Sequence, residues 1–292
     1  MVRWIAEISS NHNQNINRTI KLIKKAKEIG CDAVKFQMFN ADKLYAPGFK
    51  KQIDKMKKWE LPEIFLPEIE SFCCDINMAF GCSIFDLESF DTVVSYVDWV
   101  KIGSYELLYT DLIKKVVKNK YPKKPWMISA GMESFYPKNY PCFPDSYMKN
   151  IRRADRFGIK YNNQAQAILY CNSNYPALPK YCNLHNITNL KNYFMLPIGW
   201  SDHTVEPRVI YKAIELGAEI IEFHFDLEDG QGFESEIGHC WKPSKIKEVI
   251  HNVKIGEEAY KKYDTNELET KKWRTDPSDG MRPLKEFREE LK

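Results

Sequence analysis

Residues 196–225 read LPIGWSDHTVEPRVIYKAIELGAEIIEFHF and predict one complete strand–helix–strand unit. The segment begins and ends with short, almost continuously apolar runs, Leu196–Ser201 and Glu219–Phe225, which is typical of strands buried on both faces of a parallel sheet. Between these runs, apolar residues recur at spacings of three and four over residues 205–216, and Gly217 follows where a helix would end. Units of this kind build parallel α/β sheets.

The same pattern recurs along the rest of the chain. Six more apolar runs predict strands: Ile5–Ser9, Ala33–Gln37, Ala79–Phe85, Trp99–Ser104, Trp126–Ala130 and Ala167–Ser173. Helical spacing over residues 16–29, with Gly30 after them, predicts a helix behind the first strand, and Ser244 is expected to cap a helix over residues 246–255. Eight strands alternating with helices predict a (β/α)8 TIM barrel, and a doubly wound open sheet is the weaker alternative.

The composition of the 292 residues restricts the class of protein. Lys and Arg number 43 against 40 Asp and Glu, so a net charge of +3 leaves no excess that could track nucleic-acid phosphates. No apolar run approaches the roughly 18 residues of a membrane span. Glu7 interrupts the first apolar residues before the apolar core of a signal peptide could form. With eight cysteines but no Cys-x-x-Cys pair, we expect reduced thiols in the cytoplasm. We expect a single barrel domain over residues 1–263 and a charged tail over residues 264–292.

Polar residues cluster at the carboxyl ends of the predicted strands, where a TIM barrel builds its active site. Lys35 lies in the second strand and Lys101 in the fourth, and a lysine inside a barrel is unfavourable unless an anion meets it. Small hydroxyl residues end neighbouring strands, so one phosphate group could satisfy the whole set. For either lysine alone, an ion pair with a neighbouring glutamate is the open alternative. The other polar residues at strand ends are Glu7, Gln37, Ser83, Ser104, Ser129, Asn172, Ser173 and Ser201.

Two histidines occupy matching places on consecutive strands. His203 follows the seventh strand and His224 ends the eighth, about one strand–helix repeat later. Imidazoles at equal height on adjacent strands can share one divalent metal ion, with open positions for water and substrate. For one histidine alone, a structural role is the alternative. His239 is a further candidate ligand, with a structural role or a substrate contact as the favoured interpretation.

Seven motifs, taken together and in order, resemble the sialic acid synthase family, the phosphoenolpyruvate-dependent nonulosonate synthases. They are AEISSNHN (6–13), VKFQ (34–37), VKIGSYE (100–106), ISAGM (128–132), YCNSNYP (170–176), GWSDHT (199–204) and EFHF (222–225). The resemblance implies a barrel that condenses phosphoenolpyruvate with an aldose such as N-acetylmannosamine. The product would be a nonulosonic (sialic-type) or similar 2-keto-3-deoxy acid, with release of phosphate.

The resemblance also implies roles for individual residues. His203 and His224 would hold Mn²⁺ or Mg²⁺, and Glu7 would orient or deprotonate the water that adds during the reaction. The positions that match phosphoenolpyruvate-binding residues are Lys35, Lys101, Ser104, Ser129, Ser173 and Ser201. The positions that match residues around the metal and the sugar are Glu7, Gln37, Glu106 and Tyr175.

The chain departs from the family pattern in its cover and in one loop. Members typically carry a C-terminal antifreeze-like domain that closes over a partner subunit's site, and the sequence up to residue 292 shows none. We expect residues 38–61 and 132–145 to cover the site instead, within one chain or across a homodimer, with Lys50, Lys51 and Trp241 near the acceptor. The usual Gly-Pro-Asp after the eighth strand is replaced by Gly-Phe-Glu at residues 232–234.

Two alternatives remain for the function. A metal-dependent aldolase or lyase could use pyruvate, since a Schiff-base lysine needs the same residue type as a phosphate site. A sugar-binding barrel without turnover is the non-enzymatic alternative, and the presence of both histidines and Glu7 argues against it.

Overall fold

The computed structural model describes residues 1–118, 124–131, 165–194 and 196–263. Its strands are β1 (Arg3–Glu7), β2 (Ala33–Met38), β3 (Ala79–Ile84), β4 (Trp99–Ile102), β5 (Trp126–Ser129), β6 (Ala165–Cys171), β7 (Ile198–Asp202) and β8 (Ile220–His224). They pair in parallel and in chain order, and β8 pairs with β1 to close the barrel. Each strand lies on a predicted run, so the predicted TIM barrel is confirmed.

Helices alternate with the strands, as the apolar spacing predicts. They are α1 (Ile16–Glu28), α2 (Ala41–Leu44), α3 (Lys50–Lys57), α4 (Leu66–Asp75), α5 (Leu87–Val93), α6 (Thr110–Val117), α7 (His185–Tyr193), α8 (Pro207–Glu215) and α9 (Pro243–Tyr263). The side chain of Asn15 accepts a hydrogen bond from the backbone N–H of Arg18 and caps α1. Gly30 adopts a φ of 97° after α1, which lets the chain turn into β2.

Two local expectations come out differently. Helix α9 begins at Pro243, and Ser244 lies inside its first turn, where its hydroxyl donates to Glu228 Oε1 at 2.5 Å. The expected capping role of Ser244 is therefore wrong. Residues 38–61 are not an open loop but contain α2 and α3. The expected covering segment 132–145 lies outside the described residues.

Two compact units divide the chain. One comprises residues 2–250 and holds all eight strands, and the described residues of the other are residue 1 and residues 251–263. Helix α9 runs to the last described residue, so the tail expected over residues 264–292 stays a prediction. No helix in the described ranges combines the length and the apolar character that a membrane crossing requires.

The barrel interior changes from apolar to polar over two residues along six of the eight strands. Its buried apolar floor consists of Ile5, Ala33, Trp99, Met127, Ala167, Leu169 and Ile220. Gly81 makes room for this floor, because a Cβ there would lie 2.2 Å from the Trp99 ring. Side chains alternate with a period of two along a strand, so the residues two positions further on also face the interior. This polar layer comprises Glu7, Lys35, Lys101, Ser129, Cys171 and Glu222, all of which are buried.

Candidate active site

A cavity of about 360 Å³ lies above the polar layer, at the carboxyl ends of the strands. Of the residues predicted for the site, the following line it: Lys35, Gln37, Lys101, Ser104, Glu106, Ser129, Ser173, Tyr175, Ser201, His203 and His224. Glu7 is fully buried next to them, in contact with Lys35 and Gln37. The structure therefore brings together the twelve residues to which the family resemblance gives a role in the site.

Each buried lysine of the polar layer is paired with a carboxylate. Lys35 Nζ contacts Glu7 and donates to Ser83 Oγ at 2.7 Å. Lys101 Nζ donates to Glu222 Oε1 at 2.5 Å, and the other oxygen of Glu222 lies 3.8 Å from Lys35 Nζ. The ion pairs that the sequence left as an alternative are present. Charge balance alone therefore does not demand a bound anion, and the phosphate site stays a prediction.

Burial and charge act on these pairs in opposite directions. Burial lowers the pKa of Lys35 to about 7, although the negative charge of Glu222 opposes the shift. Burial would raise the pKa of Glu222, but Lys101 and Lys35 outweigh it and lower this pKa to about 2. Glu222 is thus firmly ionised near neutral pH, whereas Lys35 can gain or lose a proton there.

The predicted hydroxyl residues lie around the two lysines. Ser201 Oγ donates to Glu222 Oε1 at 2.8 Å, and Ser104 Oγ accepts from the backbone N–H of Gly131 at 2.9 Å. Gly131 has to be a glycine, because a Cβ at this position would lie 2.3 Å from Cys171 Sγ. Several short hydroxyl groups, with their rotatable O–H donors, therefore face the same small volume as two ammonium groups.

The two predicted metal ligands are oriented by hydrogen bonds to one nitrogen each. His203 Nδ1 donates to the backbone carbonyl of Asn172 at 2.6 Å, and His224 Nδ1 donates to Glu234 Oε2 at 2.8 Å. Each ring therefore carries its proton on Nδ1 and keeps a lone pair on Nε2. Burial lowers the pKa of both imidazoles, which favours the neutral form that binds metals. The ring centroids of the pair lie 5.4 Å apart.

Glu222, Glu234 and His239 belong to the site, although no definite role in it was predicted for them from the sequence. Potential ligand atoms of His224, Glu234 and His239 lie within 4.8 Å of one another, and all three residues are buried. Glu222 could have been found from the sequence, because it is a charged residue inside an apolar strand, two positions before His224. Glu234 and His239 come from the loop after β8, and their position depends on how that loop folds back.

Glu106, Gln37 and Tyr175 surround these charged groups. Burial raises the pKa of Glu106 to about 7, and its carboxylate lies directly over Gly103, where a Cβ would be 2.2 Å from Glu106 Oε2. Gln37 Nε2 donates to Glu7 Oε1 at 3.2 Å. The Tyr175 ring lies 4.1 Å from the His203 ring and 45% of its residue surface is exposed. Glu106 therefore has the proton affinity of an acid or base that works at neutral pH.

Residues 38–61, expected to cover the site, border the cavity with side chains other than the predicted lysines. Lys50 and Lys51 are exposed and do not line it. The lining residues of this segment are Tyr45, Met56 and Trp59. Trp241 is completely buried, and its indole N–H donates to Asp202 Oδ2 at 2.9 Å. The expectation that Trp241 approaches an acceptor is therefore wrong, because its polar atom already has a structural partner.

Comparison with known proteins agrees with this geometry. The NeuB family profile matches residues 22–265. An N,N'-diacetyllegionaminic acid synthase of Legionella pneumophila is 30% identical over 286 residues, which covers 90% of this chain and 76% of that protein. The solved spore coat polysaccharide biosynthesis protein SpsE of Bacillus subtilis is 30% identical with a TM-score of 0.73, over 91% of this chain and 70% of that one.

A sialic acid synthetase structure from Leptospira borgpetersenii, at 23% identity, shares the fold. Its TM-score is 0.77, over 99% of this chain and 90% of that one. The resemblance to sialic acid synthases that the seven motifs indicate is confirmed by the family match and by these relatives. The chain belongs to the NeuB family.

Proposed function

We propose that this chain is a carbon–carbon bond-forming synthase that condenses phosphoenolpyruvate with an aldose to give a nonulosonic or similar 2-keto-3-deoxy acid and phosphate. The observation that carries the proposal is the stacking of two layers in one cavity. Lys35, Lys101 and several serine hydroxyls form the lower layer, and His203 and His224 line the same cavity two positions beyond Ser201 and Glu222 in the chain. Relatives named as legionaminic, pseudaminic and N-acetylneuraminate-9-phosphate synthases support it.

The lower layer fits the anionic part of phosphoenolpyruvate. Ammonium groups and hydroxyls can donate several charge-assisted hydrogen bonds to one phosphate or carboxylate. On binding, Lys35 and Lys101 would share their hydrogen bonds between the substrate and their carboxylate partners. The proposed binding set comprises Lys35, Lys101, Ser104, Ser129, Ser173 and Ser201.

The charges of the site support a divalent cation, Mn²⁺ or Mg²⁺, as the cofactor. Glu7 and Glu222 already balance Lys35 and Lys101, and Glu234 adds a further negative charge. A substrate with both a carboxylate and a phosphate would therefore bind without enough positive charge. His203 and His224 fit a metal ion because each is neutral and keeps one nitrogen lone pair. A bound divalent ion would supply Lewis-acid polarisation of the aldehyde oxygen.

The remaining residues would move protons and position water. C3 of phosphoenolpyruvate forms the new bond to the aldehyde carbon, and the aldehyde oxygen takes a proton that Glu106 can supply near pH 7. Water then adds to C2, and Glu7 is the residue we propose to orient or deprotonate it, as the family resemblance implies. Breaking the C2–O bond releases phosphate and leaves the ketone. Gln37 holds Glu7 through its hydrogen bond to Oε1.

The decisive experiment supplies phosphoenolpyruvate, Mn²⁺ and a panel of aldoses to the purified protein and measures phosphate together with the condensed product by mass spectrometry. We expect release that requires both the aldose and the metal, and its loss in Lys101→Met. Release without aldose would indicate a phosphatase. Absence of release with every hexosamine and aldose tested, in a protein that still binds sugars, would favour the non-catalytic barrel.

The lowered pKa of Lys35 favours a second candidate reaction, a pyruvate-dependent aldol cleavage or condensation. The pKa of Lys35, lowered to about 7 by burial, is in the range that suits a Schiff-base lysine, as a pyruvate-dependent aldolase or lyase would need. Borohydride reduction in the presence of pyruvate separates the two reactions. A covalent adduct on Lys35 would support the lyase, and an unmodified chain supports the synthase.

The cellular location and the assembly are further proposals. We infer a cytoplasmic enzyme, because the cysteines in the described residues are not joined in disulfides and phosphoenolpyruvate is a metabolite of the cell interior. We also infer a homodimer, as the family resemblance implies, and light scattering on the purified chain tests it.

A further inference from the structure

We propose that His239 is a third nitrogen ligand of the metal site, and that Glu234 holds its imidazole together with that of His224. The inference rests on the proposed function, which places the ion on His203 and His224. It adds a ligand from outside the strands, supplied by the loop that follows β8.

The position of His239 places it within the site. Its residue surface is 2% exposed, it lines the cavity, and its ring centroid lies 4.4 Å from that of His224. The Tyr175 ring packs edge-on against His239 at 5.0 Å and contacts His203 at 4.1 Å. Three imidazoles therefore surround the same tyrosine ring.

The nitrogen atoms follow one scheme. His203 and His224 each use Nδ1 to donate to an oxygen acceptor, which leaves Nε2. In His239 the nitrogen on the side of Glu234 is Nε2, which lies 3.7 Å from Oε2. Its Nδ1 is buried and has no hydrogen-bond partner within the described ranges. An unsatisfied buried polar atom is unfavourable, and a metal ion would satisfy this one.

Glu234 is fixed where it can serve two rings. Its Oε1 accepts from Ser9 Oγ at 2.5 Å, and its backbone N–H donates to Asn11 Oδ1 at 2.9 Å. Its Oε2 is the atom that accepts from His224 and faces His239. A carboxylate that accepts from the other nitrogen of a ligating imidazole sets both its tautomer and its orientation.

The backbone holds His239 beside β8. Trp241 N–H donates to the carbonyl of His224 at 2.8 Å, and Asp226 N–H donates to the carbonyl of Trp241 at 3.1 Å. The Trp241 indole is anchored on Asp202, and Asn11 Nδ2 donates to Cys240 Sγ at 3.4 Å. The segment therefore adds one bridge to the end of the barrel sheet and presents His239 from a rigid support.

The test measures Mn²⁺ alone, without substrate, on the full chain. Pulsed electron paramagnetic resonance of the parent protein should show couplings to three histidine nitrogens. Mn²⁺ titrations should show His239→Gln at least about 10-fold weaker, with two nitrogens left, and Glu234→Gln about 10- to 100-fold weaker, with three nitrogens kept. His185→Gln, an exposed histidine of α7, is the matched control and should bind as the parent does.

The outcomes separate this inference from the proposed function. Two nitrogen couplings in the parent, together with unchanged Mn²⁺ affinity of His239→Gln and lost affinity of His224→Gln, would overturn the role of His239 and leave the synthase intact. A parent protein that binds no Mn²⁺ would overturn both. The count of nitrogens in the parent needs no variant, so it decides even if His239→Gln fails to fold. A metal-free unfolding midpoint near that of the parent shows that this variant folds.

Discussion

Replacing Glu222 with glutamine removes one charge from the centre of the polar layer and keeps the shape of the side chain. Glu222 and Lys101 are 2% and 5% exposed, and 2.5 Å separates Oε1 from Nζ. Breaking a buried ion pair costs about 3–5 kcal/mol, because the remaining charge is left without its partner. We expect the low end, about 3 kcal/mol, since Lys101 borders a cavity that water can enter and glutamine can still accept its hydrogen bond.

The double variant Glu222→Gln, Lys101→Met isolates the charge effect. Because it removes both members of the pair, no buried charge is left unpaired, and much of the lost stability should return. The coupling between the two substitutions should therefore be at least about 2 kcal/mol. Denaturant unfolding of the parent, both single variants and the double variant, with chelator and without phosphoenolpyruvate, measures it.

Ligand binding gives a second measurement on the same variants. In Glu222→Gln the lysines outnumber their carboxylate partners, so inorganic phosphate should raise its unfolding temperature more than it raises that of the parent. In Lys101→Met the effect of phosphate should shrink. The reasoning is refuted if the double variant loses the sum of the single losses, or if phosphate stabilises all four proteins equally.

Three further predictions concern protons and space in the site. Phosphoenolpyruvate binding favours the charged form of Lys35, whose pKa is about 7, so binding should take up a proton and weaken as the pH rises above 7. Calorimetry in buffers of different ionisation enthalpy measures this uptake, and Lys35→Arg should abolish it. With Glu106 as the proposed acid, turnover should fall as the pH rises through about 7, and Glu106→Gln should be slow with a flat profile in that range. Gly103→Ala should lower kcat roughly as far as Glu106→Gln does, because the new Cβ would lie 2.2 Å from Glu106 Oε2 and force the carboxylate to move. A kcat equal to that of the parent would contradict this.

The fold and the polar layer could be predicted from the sequence because both follow local rules. A strand buried on both faces is mostly apolar, so each of the eight strands can be recognised in the sequence as an apolar run. The alternation of side chains then places Lys35 and Lys101 above Ala33 and Trp99 without any knowledge of the tertiary structure. The partners of the lysines follow less directly, because a register between distant strands decides which carboxylate lies beside which ammonium group.

The loop after β8 shows where local rules fail. Glu234 and His239 reach the site because a backbone hydrogen bond from Trp241 to His224 brings the loop back to the end of β8. No periodicity in the sequence predicts this contact. The lysines of residues 38–61 also led to a wrong expectation, because a high density of charged residues in a segment does not show which of its side chains face the cavity. Tyr45, Met56 and Trp59 are the residues of that segment that border the cavity.

The paired charges explain how the barrel can fold around a site meant for anions. Lysines alone at the positions of Lys35 and Lys101 would repel each other in a poorly solvated interior. Glu7 and Glu222 neutralise them, so the polar layer is tolerated before any substrate arrives. The same neutralisation weakens the layer as an anion trap. In the proposed synthase, tight binding of phosphoenolpyruvate would therefore require a cation bound nearby, and by linkage the substrate would strengthen the binding of that cation by the same factor. His203 and His224, the proposed metal ligands, line the same cavity as the two lysines and would meet this electrostatic demand.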